Sequence, residues 1–189
     1  MHCPVPTFRF RRFLIAMLMS GVAFLPLSPS PSMAANSDKL PLPRFVSLRS
    51  DRINVRIGPG ERYPVEWVYR RPNLPIEIIA EFENWRKIRD PEGIGGWVHQ
   101  SMISGRRTII VVGGVRYLYR DQQRESSVVA VLEEGVVGRL LQCPEKTDVC
   151  KVDIMLPDEE TGLRIRRKSV QGWLHRGDFW GVYPSEYIE

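Results

Sequence analysis

A four-residue pattern occurs twice in this chain. Gly96-Trp97-Val98-His99 closes one β-rich stretch and Gly172-Trp173-Leu174-His175 closes another. Before each comes the same order of events: a short apolar-basic strand, a valine-rich strand, a second apolar run and a polar loop. A repeat of this kind constrains architecture more than composition does, because each copy has to be one supersecondary unit. Two small β-units account for it better than one large domain.

The strands can be read along both copies. Phe45-Val46-Ser47-Leu48, Ile53-Asn54-Val55-Arg56 and Val65-Glu66-Trp67-Val68-Tyr69 alternate apolar and polar residues, as half-buried strands do. Ile76-Glu77-Ile78-Ile79 and Trp85-Arg86-Lys87-Ile88 follow, with a hairpin turn at Asp90-Pro91-Glu92-Gly93. Gly58-Pro59-Gly60 reads as a turn in which the glycines supply positive φ. In the second copy, Thr108 to Val112, a Gly113-Gly114 turn and Val115 to Tyr119 lead in. Val128 to Leu132 matches the Val65 strand, Gly138 to Gln142 matches the Ile76 strand, and Val149 to Val152 falls where Trp85 to Ile88 fell. A longer polar tip, Asp158 to Gly162, precedes the second Gly-Trp strand. No sustained helical period follows residue 34, and short strands broken by Gly and Pro turns point to small barrels. Each alone has a thin core, so docking in a fixed relative orientation is expected.

The N-terminus has a different character. Arg9, Arg11 and Arg12 precede an apolar run from Phe13 to Leu25, and Ser32-Met33-Ala34 places small residues where a signal peptidase reads. The run is shorter than the roughly 20 residues that span a bilayer comfortably, which favours a cleaved signal over a retained anchor. The expected organisation is a signal peptide at 1–34 with cleavage at Ala34, a flexible lead-in at 35–43, a first barrel at 44–105 and a second, divergent barrel at 106–189. Losing three arginines from 27 basic residues leaves 24 against 22 acidic ones, a net of +2. That balance argues against nucleic acid, which demands a concentrated basic surface. The basic clusters Arg70-Arg71, Arg106-Arg107 and Arg164 to Lys168 read as solvated loops. After processing, no stable membrane insertion is expected, and the location is periplasmic or secreted. Cys143 and Cys150 then form an even pair in an exported chain. They read as a disulfide closing a hairpin loop, because the spacing is too long for Cys-x-x-Cys and no histidine is near.

The first unit resembles the bacterial SH3-type domain family. The resemblance rests on Asn54-Val55-Arg56-Ile57-Gly58-Pro59-Gly60, Tyr63-Pro64-Val65, Asn84-Trp85-Arg86-Lys87-Ile88 and Gly96-Trp97-Val98. The second unit is a divergent copy that lacks the Gly-Pro-Gly turn and carries Val149 in place of Trp85. The layout resembles secreted bacterial proteins with tandem SH3-type repeats. What this implies is an all-β chain of two SH3-like barrels. In relatives, such modules bind cell-wall peptides or partner proteins.

The sequence offers little chemistry. His99 and His175 occupy equivalent places and lack neighbours at metal-ligand spacing, so a repeated structural role is expected, with no metal and no cofactor. No Gly-x-Ser-x-Gly elbow is present, and the acidic pairs Glu133-Glu134 and Asp158 to Glu160 read as solvated. The expectation is a non-enzyme, with no catalytic residue assigned. Aromatics are better candidates, although Trp67 and Trp97 read as core. If Arg56, Tyr63 and Trp85 converge, they form a shallow groove in which flat rings meet an extended peptide and the arginine holds a carboxylate. The equal alternative is that Arg56 pairs locally with Glu66 and the rings are covered. The expected function is binding of a peptide, a peptidoglycan fragment or an envelope protein. The alternatives are a structural or adaptor protein acting through protein contacts, and a cell-wall enzyme of unseen type.

Overall fold

A computed structural model describes residues 40–123, 126–156 and 169–189. The expected signal segment with Ala34, the Asp158–Gly162 hairpin tip and the Arg164–Lys168 cluster lie outside them. The described residues belong to one compact unit, Lys39–Glu189.

The first sheet contains β1 (Arg44–Leu48), β2 (Ile53–Arg56), β3 (Val65–Tyr69), β4 (Pro75–Phe82), β5 (Trp85–Arg89), β6 (Gly95–His99) and β7 (Ile103–Ser104). The second contains β8 (Thr108–Val111), β9 (Arg116–Tyr119), β10 (Val128–Leu132), β11 (Val137–Gln142), β12 (Val149–Met155), β13 (Ser169–His175) and β14 (Phe179–Trp180). The first runs in the order β3-β2-β6-β5-β4-β1-β7 and the second in the order β10-β9-β13-β12-β11-β8-β14. Adding seven to each label of the first order gives the second, so the repeat in sequence is a repeat in topology. It extends to irregularities. The extra residue in β3 between Val65 and Trp67, opposite Val55–Arg56, recurs in β10 between Val128 and Ala130, and the shift at Ile78–Ala80 recurs at Leu140–Gln142. Bulges bend strands and tighten twist, which a short sheet needs in order to curl around a core.

The curl is visible in the packing. Leu48 of β1, Ile53 and Val55 of β2, Tyr69 of β3, Ile76 and Ile78 of β4, Ile88 of β5 and Val98 of β6 share one core, although β3 and β1 lie near opposite ends of the strand order. Val111, Leu118, Leu132, Leu140, Val152, Ile154 and Leu174 do the same in the second unit. Tyr69 reaches the rim of the first core, where its hydroxyl donates to Asp90 Oδ2 at 2.7 Å, while Asp90 Oδ1 accepts from the Ile94 N–H at 2.7 Å and fastens the β5–β6 hairpin. Burial, then the bond to Asp90, pushes the Tyr69 phenol well above its ordinary pKa.

Two glycine roles differ from expectation. Gly113 and Gly114 have the positive φ of a tight turn, but Gly58 and Gly60 are not among the positive-φ residues. Gly58 is instead required by proximity, since a Cβ there would lie 2.6–2.7 Å from the ring of Tyr63. The Gly-Pro-Gly segment is a bed for that ring. The repeated Gly-Trp glycines also serve close approach, because a Cβ on Gly96 or Gly172 would meet the backbone oxygen of Arg56 or Tyr119 on the neighbouring strand.

The two units dock through β1. Val46 and Leu48 face the first core, while Phe45 and Ser47 are buried on the other face. Phe45 packs edge-on to Trp180 with centroids 4.7 Å apart and tilted against Tyr183 at 4.6 Å, and the Arg107 guanidinium lies 5.8 Å from its centroid. Ser47 Oγ donates to the Arg106 carbonyl at 2.8 Å. Buried Glu77 is fully partnered: Arg89 holds Oε2, and the Tyr183 hydroxyl donates to Oε1 at 2.8 Å. Arg107 and Glu186 form a two-pronged pair beside them. Burial alone would raise the Glu186 carboxyl, but hydrogen bonds from Arg107 and the Tyr183 N–H outweigh it and hold the group below the ordinary range. Arg71 donates to the Gly135 carbonyl at 2.7 Å. The reading of Arg70-Arg71 and Arg106-Arg107 as solvated loops is therefore corrected for Arg71 and Arg107, which bridge the units.

Cys143 and Cys150 are bonded to each other. Cys143 also exchanges backbone hydrogen bonds with Ile188, and Arg176 ties the Thr147 carbonyl of the bridged loop to the carbonyls of Tyr183 and Glu186. The disulfide thus anchors the C-terminal segment that covers the first unit. Replacing both cysteines by serine is expected to cost about 2–3 kcal/mol from loop entropy, lowering Tm by about 4–12 °C in a scan without reductant. An unchanged Tm would mean that the loop is held by its hydrogen bonds alone.

Candidate functional site

Strand register fixes which side chains share a surface. Arg56 of β2 lies opposite Trp97 of β6, and Trp97 lies opposite Lys87 of β5. One rung further, Trp85 lies opposite His99. Val55, Ile88 and Val98, the neighbours of Arg56, Lys87 and Trp97 along their strands, point into the core. Side chains alternate along strands, so Arg56, Trp97, Lys87, Trp85 and His99 share the outer face of β2-β6-β5. None of the five is fully buried. The result is a strip of two indoles and two cations on a rigid sheet.

Each member is held in place. Arg56 Nη1 donates to the Tyr63 carbonyl at 2.6 Å, so the guanidinium fixes the loop rather than pairing with exposed Glu66. Its other N–H groups remain suited to a carboxylate. The Tyr63 ring rests on Gly58, with the Arg62 guanidinium 5.1 Å from its centroid. Trp85 is partly exposed and meets His99 edge-on, with centroids 5.5 Å apart. Below it, Arg86 donates to Gln100 Oε1 at 2.9 Å and Gln100 Nε2 donates to Asn84 Oδ1 at 3.0 Å, bracing the β4–β5 turn.

The structure thus joins Arg56 to Tyr63 directly. It sets Trp85 on the same face but two strands away, about 10 Å across at ordinary strand spacing. The arrangement is a strip instead of a point of convergence. Trp97 and Lys87 belong to it and sequence reasoning missed them; the alternation of Trp97 with Val98 was the available signal. The expectation that Trp67 and Trp97 are core is corrected. Trp97 faces outward, and Trp67 is 47% exposed because it lies on β3, the end strand, with no further strand to cover it.

The histidines fill a repeated structural position. His99 and His175 each stand at the N-cap position of a 3-10 turn, Gln100–Met102 and Arg176–Asp178, and the His99 side chain accepts from the Ser101 N–H. His99 Nδ1 lies 2.7 Å from Ser101 Oγ, and His175 Nδ1 lies 3.2 Å from Asp148 Oδ2. In the second unit, Tyr119, Trp173 and Lys151 form the rung equivalent to Arg56, Trp97 and Lys87. There the arginine has become a tyrosine, and the Trp85 position is the buried Val149.

This geometry defines a small β-barrel unit, with the candidate site on an open sheet face. Residues 49–105 match the family described as the bacterial SH3 domain, and the first unit is such a domain. The second unit repeats its strand order, consistent with a second SH3-like domain. No curated protein matches the chain. The family and the disulfide together point to an extracytoplasmic binding module. Among the described residues, no helix is long and apolar enough to cross a membrane.

Proposed function

We propose that this is an exported, non-enzymatic module that binds a cell-wall peptide, a peptidoglycan fragment or an envelope protein through the β2-β6-β5 face of its first unit. The observation that carries this reading is the strip itself: Trp85 and Trp97 beside Arg56 and Lys87, on strands whose opposite face is the core. Rigid indole rings bury area at low entropy cost, and two cations set a carboxylated chain in register. No cofactor or metal enters this reading. Cleavage at Ala34 delivers the chain to the periplasm or the medium, and the mass of the exported protein checks the processing site.

Sedimentation with purified cell wall tests the reading. The protein should co-sediment, and Trp85→Ala and Arg56→Ala should each weaken retention about tenfold, as removal of a central aromatic or arginine anchor does. Retention unchanged by both substitutions would overturn the assignment of this face. A second reading, an adaptor acting only through protein contacts, draws on the exposed Ile57, Val65 and Trp67 along the β2–β3 edge. It predicts no wall retention, and a co-purifying protein lost on Trp67→Ala.

A further inference from the structure

The repeat allows each unit to interpret the other. Register makes Thr108 the counterpart of Phe45, Arg139 the counterpart of Glu77, and Asp153 the counterpart of Arg89. The cross-strand pair Glu77–Arg89 thus reappears with its charges exchanged, as Arg139–Asp153, with Arg139 Nη2 3.1 Å from Asp153 Oδ2. In the first unit this outer face is covered by Trp180, Gly181 and Tyr183, whose hydroxyl completes the hydrogen bonding of Glu77. In the second unit the same face is left open by the described residues. Thr108, Gly138, Arg139 and Asp153 line a cavity of about 340 Å³, with Arg106 and Asn73 also in its wall.

The open face is chemically incomplete. Asp153 is 7% exposed and Thr108 is 3% exposed, yet Asp153 Oδ1 and Thr108 Oγ1 have no hydrogen-bond partner among the described residues. A buried acceptor left unpaired costs about 1–3 kcal/mol, more when it is charged. Both atoms are shut off from bulk water, but the terminal carboxyl torsion of an aspartate is soft, so rotation presents the free oxygen to a guest. Two arginines against one aspartate leave the lining positive, which favours a neutral hydroxyl over an ammonium as the donor and favours an acidic group beside it.

We propose that this cavity receives an extended segment of a partner protein bearing a tyrosine next to an acidic residue. The phenol donates to Asp153, as Tyr183 does to Glu77, and the acid lies against Arg106 and Arg139. The small Thr108, where the first unit has Phe45, leaves room for the incoming ring. The chain's own C-terminal segment cannot serve, because it already covers the first unit. This site is separate from the β2-β6-β5 face, and its fate does not depend on that reading.

The test is titration of the full chain with the acetylated, amidated tripeptide Glu-Tyr-Glu, followed by NMR. Saturable shifts are expected at the amides of Thr108 and Asp153, with a midpoint below about 1 mM. Phenylalanine in place of the peptide tyrosine should weaken binding about tenfold, the loss of one hydrogen bond to a charged acceptor. Arg139→Gln, which keeps an amide N–H donor for buried Asp153 while removing the charge, should weaken it severalfold. Trp85→Ala should leave it unchanged. The proposal is overturned by no saturable shift at these amides, by equal affinity for the phenylalanine peptide, or by concentration-dependent shifts at the same amides without peptide, which would make a second copy the occupant.

Discussion

Valine at Gly96 is expected to unfold the first unit, and valine at Gly172 the second. A Cβ on Gly96 would stand 2.6 Å from Val55 Cγ1 and 2.8 Å from the Arg56 carbonyl oxygen. On Gly172 it would stand 2.6 Å from Leu118 Cγ and 2.6 Å from the Tyr119 carbonyl oxygen. A side chain can rotate away, but these carbonyls belong to the strand beside the glycine. Relief requires moving β2 from β6, or β9 from β13, and that opens the core on their inner face. Overpacking costs about 1–3 kcal/mol where side chains can adjust, and more where backbone has to move. With a small domain stable by only about 5–15 kcal/mol, the expected result is loss of at least about 3 kcal/mol. Gly105→Ala is the control: nothing lies within 4 Å of its Cβ and its φ is not positive, so it should melt within about 0.5 kcal/mol of the native chain. Melting of Gly96→Val alongside that control would mean that β2 and β6 are not packed as described.

Phe45→Ala is the second large effect, and it should separate the units more than it damages either one. The Phe45 ring lies outside the first core and makes its contacts with Trp180, Tyr183 and Arg107. Truncating a buried phenylalanine costs about 3–5 kcal/mol, drawn here from docking. The native chain should unfold in one transition. The variant should show two, with Trp180 fluorescence moving to a wetter value at the lower temperature. A single transition at the native Tm would show that the units dock without this ring. Glu77→Gln is the informative companion, because it keeps an acceptor for the Tyr183 hydroxyl while discharging the pair with Arg89.

The architecture was largely legible before any coordinates. Alternation in Ile53-Asn54-Val55 assigned the inner face correctly, whereas Trp97 was read as core although Val98 takes that face; the matched order of strands is a matched order in space. Cys143 and Cys150 were readable as a pair because a short polar loop leaves them few other partners. The site was legible only in part. Arg56 and Tyr63 do meet, but Lys87 joins the strip through strand pairing, and pairing between residues far apart in sequence leaves no local mark. Trp67 misled because alternation says which side of a strand a residue takes, not whether another strand covers it. Phe45 and Ser47 gave no separate signal for docking, since the strand was read as half-buried and nothing local shows that a second unit covers its other face.

Local rules, acting within a few residues, thus settled the strands, the turns, the bridge and the twofold plan of this chain. The docked interface, the reversed ion pair at Arg139–Asp153 and the uncovered cavity beside it came only from the tertiary arrangement. They depend on which surfaces two nearly equivalent sheets present to each other. Two copies of one fold share a strand order, yet a single C-terminal segment can cover only one of the two equivalent faces.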